Sequence, residues 1–107
     1  MLSRINRLPS SEILHVMRRG KRIVGDALQI VVQKSEADVS RFACIISTKI
    51  DKRATRRNRM KRLVSESITH LLPRLHNPVD CIVIARKDFS GMRQTEAEAM
   101  VADLLHV

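Results

Sequence analysis

The sequence predicts a single α+β domain in which helices pack against a β-sheet. Two observations support this: β-branched, partly alternating runs typical of strands occur between segments whose apolar residues recur at helical spacing. With 107 residues and 44% apolar content, the chain has enough material for one small core and not for two. We therefore expect residues 1–107 to form one domain.

The first predicted element is a short helix from about Ser10 to Arg19. Pro9 and the serines after it mark its beginning, and Gly20 suits its C-terminal cap. Four apolar side chains form the stripe that should face the core: Ile13, Leu14, Val16 and Met17.

Three strands are predicted from the residues alone. The segments Leu28 to Gln33 and Arg41 to Ser47 are rich in β-branched residues, and the stretch KSEADVS between them predicts an exposed hairpin loop. The segment Val79 to Arg86 is almost continuously apolar, which favours a strand buried on both faces. Such a strand should lie in the centre of the sheet.

Two further helices complete the predicted elements. One begins in the basic segment at Lys52 and continues to Pro73, which ends or kinks it because proline cannot continue the backbone hydrogen bonding. The last helix runs from about Thr95 to His106. The apolar stripe of the basic helix has five members: Met60, Leu63, Val64, Ile68 and Leu71.

The charge of the chain indicates a polyanionic partner. The formal charge is +9 and the sequence pI is about 10.8. The segment Lys52 to Arg62, KRATRRNRMKR, carries seven of the 20 lysine and arginine side chains and no acid. Because clustered cations release condensed counterions when they meet phosphates, a nucleic acid is the expected partner, and an acidic membrane surface is the alternative.

Membrane insertion and secretion find no support in the sequence. No apolar run approaches the roughly 20 residues that span a bilayer. The N-terminal stretch MLSRINRLPSS also lacks the apolar region of a secretory signal. We therefore expect a cytoplasmic protein without a membrane partner.

The basic helix has a polar side on which cations and an amide come together. A rotation of about 100° per residue places Arg57 and Lys61 at the flanks of the apolar stripe. The residues opposite the stripe are Asn58, Arg59, Arg62 and Glu66. Arginine can hold phosphate oxygens in bidentate fashion, and an Asn side chain can bond a 2′-hydroxyl. An ordinary solvated charged surface has the same composition, so composition alone leaves both interpretations open.

Residues for protein-based catalysis or metal binding are not apparent. The four histidines show no ligand spacing, and no paired carboxylates suggest a two-metal site. Cys44 and Cys81 lack Cys-x-x-Cys spacing and are expected to be buried reduced thiols. For Asp80 and Asp88, a turn or capping role is expected. We therefore predict no catalytic residue and no metal site, which disfavours a self-sufficient metal-dependent nuclease.

The order of residues adds a family resemblance. The segment RFACIISTKIDKRATRRNRMKRLVSE, followed by DCIVIARK, closely resembles the protein subunit of bacterial ribonuclease P. The early Arg7-Leu8, Val16 and Gly20 extend the match over nearly the whole chain. The matching features in the central part are Arg41-Phe42, Ser47, Lys49, the triplet Arg57-Asn58-Arg59, Lys61-Arg62-Leu63, Glu66 and Ala85-Arg86-Lys87.

The resemblance implies a fold and an activity. The family fold is an α-β-β-β-α-β-α sandwich of the ribosomal protein S5 domain 2-like type, with a left-handed βαβ crossover that departs from the usual handedness. It implies one more strand than the residues alone predict. The family protein is the non-catalytic subunit of an endoribonuclease, in which it pairs 1:1 with a catalytic RNA. That RNA removes the 5′ leader of precursor tRNA with Mg²⁺ ions bound mainly by RNA and substrate.

The resemblance also implies two RNA-facing surfaces. A cleft between the first helix and the sheet would hold the leader, and its expected lining is Ile13, Met17, Val31 and Lys49. The family often has aromatic residues in this cleft, whereas this chain has no Tyr or Trp and its two Phe residues lie elsewhere. The alternative is that all three apolar residues belong to the core, and this is the preferred interpretation for Ile13, whereas Met17 and Val31 could still form an apolar floor for bases. The expected contacts with the catalytic RNA are Lys52, Arg53, Arg57, Asn58, Arg59, Lys61 and Arg62.

A second class of function remains open at this point. Ribosomal and ribosome-assembly proteins also use β-α-β layers and basic helices to bind RNA. That alternative predicts binding to ribosomal RNA and no effect on the cleavage of precursor tRNA.

Overall fold

In the computed structural model, which describes residues 2–107, four strands form one sheet and three helices cover its two faces. Met1, which the predicted domain includes, lies outside the described residues. The element order confirms the α-β-β-β-α-β-α arrangement implied by the resemblance. The elements are α1 (Ser10–Arg19), β1 (Lys21–Val24), β2 (Leu28–Lys34), β3 (Arg41–Ile45), α2 (Ala54–Leu71), β4 (Val79–Ala85) and α3 (Gln94–Leu105).

The strands lie in the order β1-β2-β4-β3. β2 is antiparallel to both β1 and β4, while β3 and β4 are parallel and joined through α2. This β3-α2-β4 unit is the crossover for which the resemblance implies a left hand. β4 has a neighbour on each side and buried residues on both faces, so the prediction of a central strand is confirmed.

The predicted hairpin between the second and third strands is wrong. β2 and β3 are not neighbours, because β4 lies between them and pairs with both. The connection at residues 35–40 therefore passes over the N-terminal end of β4 instead of forming a tight turn. Ser40 accepts a hydrogen bond from the backbone N–H of Val79 through its side-chain oxygen, which fixes the crossing to the start of β4.

β1 is the strand that residue patterns miss. It has four residues, and Lys21, Arg22 and Val24 are exposed, so no hydrophobic period marks it. The turn that joins it to β2 is held from the far end of β4. Arg86 donates to the carbonyl of Gly25, and Lys87 forms an ion pair with Asp26 at 2.6 Å.

The helix boundaries follow the predictions closely. α1 is confirmed in full, although Leu14 is 59% exposed and does not face the core as predicted. α2 begins at Ala54 and ends at Leu71, and Pro73 follows within a 3₁₀ turn. α3 begins and ends one residue before its predicted limits.

Strand alternation divides the buried residues between two faces of the sheet. Leu28, Ile30 and Val83 belong to the larger core, which α2 and α3 cover. Val31 and Ile82 belong to a smaller cluster beneath α1. The two surfaces that the resemblance connects with RNA, the α2 surface and the α1 cleft, therefore lie on opposite sides of the sheet.

Candidate nucleic-acid interface

The basic segment forms the N-terminal half of α2. Its predicted apolar stripe is buried in full, which fixes the rotation of the helix on the sheet. Asn58, Arg59 and Arg62 are exposed, as the helical rotation predicts. Arg57 is half-buried at one flank, and Lys61 is exposed. The cationic side of the helix faces solvent because the apolar side is buried against the sheet.

Two arginines of the segment organise the beginning of α2. The Arg53 side chain donates to both carboxylate oxygens of Asp51, at 3.1 and 3.0 Å, and its backbone N–H donates to the same group at 2.8 Å. These bonds hold the pKa of Asp51 at about 2, so the carboxylate stays ionised. Arg57 donates to the backbone carbonyls of Asp51 and Lys52, at 3.0 and 2.8 Å. Arg53 and Arg57 therefore have structural partners.

Two more arginines hold the loop between β4 and α3. Arg56 pairs with Asp88 at 3.4 Å, and Arg59 donates to the carbonyls of Ser90 and Met92. The hydrogen bonds from Ser90, with a smaller contribution from Arg56, lower the pKa of Asp88. The aspartate accepts the backbone N–H of Ser90 at 2.8 Å, which confirms its predicted turn role. The N-terminal half of α2 and this loop therefore form one unit.

The other polar residues of the segment have no such partners within the described chain. Four of the seven cations are engaged by carboxylates or backbone carbonyls that lie outside the segment: Arg53, Arg56, Arg57 and Arg59. An exposed group of residues on α2 and just before its start remains available to phosphate, and we call it the open face of α2. It consists of Lys52, Asn58, Lys61 and Arg62.

Arg59 and Arg62 should respond differently to substitution. Arg62→Ala is expected to lower the slope of log affinity for RNA against log salt by about 1, because one phosphate contact is lost. Its unfolding midpoint should not change. Arg59→Ala removes two bonds to the β4-α3 loop and should lower the free energy of unfolding by about 1 kcal/mol. Fluorescence anisotropy and urea unfolding separate the two effects, and indistinguishable variants would contradict the assignment.

The residues expected in the leader cleft lie in two places. Ile13 and Met17 are half-buried on α1 and pack against the smaller cluster. Val31 lies beneath them and is 1% exposed, so it offers no surface to a base. Lys49 is exposed in the turn after β3.

The sheet supplies cleft residues that the sequence prediction omitted. Ala43 and Ile84 are half-buried and pack against the cluster beneath α1, and Ile45, opposite Ile84, is 37% exposed. Strand alternation could have found them, because they share a face with Val31 and Ile82. The surface next to α1 is therefore aliphatic.

An ion pair lies on the same face of the sheet, at the end where β3 and β4 begin. Arg41 donates to the two carboxylate oxygens of Asp80, at 2.9 and 2.8 Å, and only 5% of the Asp80 side chain is exposed. The hydrogen bonds to Asp80 raise the pKa of Arg41. The pair joins β3 to β4 where the two strands begin. The turn or capping role predicted for Asp80 is therefore wrong, because this residue lies within β4 and forms an ion pair between strands.

The cysteines and possible metal ligands can be placed as well. Cys44 and Cys81 are free thiols, and burial raises the pKa of Cys44 to about 12 and that of Cys81 also. Cys81 is buried as predicted, while Cys44 is partly exposed. Within residues 2–107, no three His, Cys, Asp or Glu side chains come together as metal ligands. In the same residues, no helix is long and apolar enough to cross a membrane.

Comparison with known proteins decides the family. The family model described as Ribonuclease P matches residues 2–107. The chain belongs to the ribonuclease P protein family. Among solved structures of this family, the RNase P protein from Thermotoga maritima is similar with a TM-score of 0.82 and 26% identity, covering 92% of this chain and 94% of that one. The Staphylococcus aureus RNase P protein, at 21% identity, has the same fold with a TM-score of 0.80 over 94% and 93% of the two chains.

Curated relatives in the ribonuclease P family support the same assignment. The ribonuclease P protein component of Desulfatibacillum aliphaticivorans is 33% identical over 96 residues, which cover 90% of this chain and 78% of the relative. That of Synechocystis is 37% identical over 70 residues, covering 64% of this chain and 56% of the relative. The match to the Synechocystis protein therefore spans just over half of its length.

Proposed function

We propose that this chain binds the catalytic RNA of ribonuclease P through the open face of α2 and assists removal of the 5′ leader from precursor tRNA. The observation that carries the proposal is the combination of family membership with an exposed set of donors on α2 and just before it, which have no partner within residues 2–107: Lys52, Asn58, Lys61 and Arg62. Cations at this density lower the repulsion between phosphates of two RNA molecules, which favours their assembly.

The seven residues expected to contact RNA would then divide into two roles. Lys52, Lys61 and Arg62 would meet phosphates directly, and Asn58 would bond a sugar or phosphate. Arg53 and Arg57 would hold the beginning of the helix, and Arg59 would hold the adjoining loop while its remaining N–H groups face outward. We infer a 1:1 complex in the cytoplasm, where bacterial precursor tRNA is made.

Mg²⁺ belongs to the RNA side of this proposal. Within the described chain no cluster of ligands fits the ion, so we assign its binding to the catalytic RNA and the substrate. The bound ion would supply charge stabilisation for the hydrolysis of the phosphodiester. The protein's own contribution is to place cations near RNA phosphates, so that less Mg²⁺ is needed to hold enzyme and substrate together.

The cleft beside α1 is proposed to receive the leader. Its lining consists of the half-buried Met17 and Ile84 and the more exposed Ile45, with Lys49 beyond the end of β3. Aliphatic side chains can cover a base but cannot stack on it as an aromatic ring does. Leader length should therefore influence binding less in this protein than in relatives with aromatic residues in the cleft.

A cleavage assay tests the proposed function. Precursor tRNA is incubated with bacterial ribonuclease P RNA alone, with the protein alone, and with both, at low and high Mg²⁺. We expect the protein to accelerate cleavage at low Mg²⁺, to do so less at high Mg²⁺, and to cleave nothing by itself. Acceleration that is absent at every Mg²⁺ concentration, together with tight binding to ribosomal RNA, would instead support a ribosome-assembly protein.

A further inference from the structure

A groove of about 410 Å³ opens where β2 and β4 extend beyond β1. β1 begins at Lys21, opposite Val32, whereas β2 continues to Lys34, opposite Val79. Because β1 is shorter than β2, the edge of the sheet has a step at this position. Residues 77–78, just before β4, close its end.

The chemistry of the groove combines an apolar floor with cations. Val32 and Val79 are half-buried and pack against the larger core, and Pro78 continues the apolar lining. Lys21 and Lys34 line the same groove, are exposed, and have no hydrogen-bonding or ionic partner in the described chain. The amide of Asn77 adds both a donor and an acceptor.

The groove is separate from both surfaces discussed above. Its floor residues belong to the side of the sheet that α2 and α3 cover, whereas α1 covers the opposite side. It also lies at the beginning of β4. The basic half of α2 contacts the loop after the end of that strand, through Arg56 and Asp88. Seven residues of strand separate the two ends by about 20 Å.

We propose that this groove binds one nucleotide of single-stranded RNA, with its base on the Val32, Pro78 and Val79 floor and the adjoining phosphates at Lys21 and Lys34. A base has a flat apolar face and polar edges, which match the floor and the Asn77 amide. The choice of RNA over another polyanion rests on the proposed function. Arg18 and Arg19, exposed at the end of α1, add positive potential next to Lys21.

A double substitution with a charge-matched control tests the phosphate contacts. Lys21→Gln with Lys34→Gln should lower the salt slope for binding a single-stranded RNA hexamer by about 1.4, since each phosphate on a single strand contributes about 0.7. The control, Arg4→Gln with Arg74→Gln, removes the same charge from exposed positions outside the groove. An equal loss of slope in both variants would overturn the proposal. Thermal unfolding should show the same midpoint for both variants and the unmodified protein.

Photo-crosslinking of a hexamer that contains 4-thiouridine locates the base. We expect crosslinked peptides that include residues 32–34 or 77–79. Crosslinks confined to α1 and α2 would overturn the site. Binding of hexaglutamate that depends on Lys21 and Lys34, without such binding of RNA, would overturn the choice of ligand and identify an acidic peptide site.

The outcome for the groove can be separated from the outcome for the proposed function. Protein that accelerates precursor cleavage but gives no groove crosslinks would leave the proposed function standing and refute the groove. Protein that gives groove crosslinks without accelerating cleavage would have the opposite meaning.

Discussion

Asp80→Asn is expected to lower the free energy of unfolding by about 3 kcal/mol. The substitution keeps the shape of the side chain but removes the charge opposite Arg41, whose side chain is only 20% exposed. Arg41 would then keep its own charge in a poorly solvated place. The two residues occupy the first paired positions of β3 and β4, so the loss falls where the pairing of these two strands begins. Urea unfolding followed by circular dichroism measures the change.

Asp88→Asn provides the matched control for the loss of charge. Asp88 also pairs with an arginine, but both partners of that pair are more exposed, at 45% for Arg56 and 32% for Asp88. Exposed pairs contribute less than about 1 kcal/mol because water solvates both charges. Asn can still accept the N–H of Ser90. Similar losses for the two variants would show that burial does not distinguish the pairs.

Met17→Phe is expected to strengthen the binding of precursors with long leaders. An aromatic ring at this half-buried position of α1 could stack on a leader base, which is worth about 1–3 kcal/mol, or about 5- to 150-fold in affinity. Precursors with a leader too short to reach the cleft should bind as before. Binding by the complex of protein and catalytic RNA, compared for the two leader lengths, measures the gain.

Leu14→Phe is the control for the added ring. Leu14 lies on the same helix but is 59% exposed and does not pack on the sheet. It should therefore increase affinity little for either leader. A gain of the same size from both variants would indicate a general effect of hydrophobicity, and no gain from Met17→Phe would argue that the leader takes another path.

Local patterns in the sequence predicted the secondary-structure elements better than they predicted which strands lie next to each other in the sheet. The apolar run of β4 identified a central strand because both of its faces are buried. The pattern of β2 and β3 could not say that a later strand separates them, since alternation describes the faces of a strand and not its edges. β1 is too short for a pattern, and only the family resemblance supplied it.

The candidate site shows a similar division. Helical spacing correctly placed Asn58 and Arg62 on the exposed side of α2. It could not reveal that Arg56 and Arg59 bind a loop about 30 residues later in the chain, because such contacts depend on the tertiary fold. The burial of Val31 likewise depends on the position of α1 on the sheet, which a local pattern cannot predict.

The central position of β4 has a consequence for the chain during synthesis. Before residue 79 is made, β3 has no strand to pair with, and only the β1-β2 hairpin can form. The sheet surface on which α2 rests is incomplete until then, so the orientation of α2 is not fixed. Long-range pairing of this kind comes late and cooperatively. A nascent chain therefore acquires a defined RNA-binding geometry only after β4 has been made, and chains that stop before β4 would carry the basic segment without its folded arrangement.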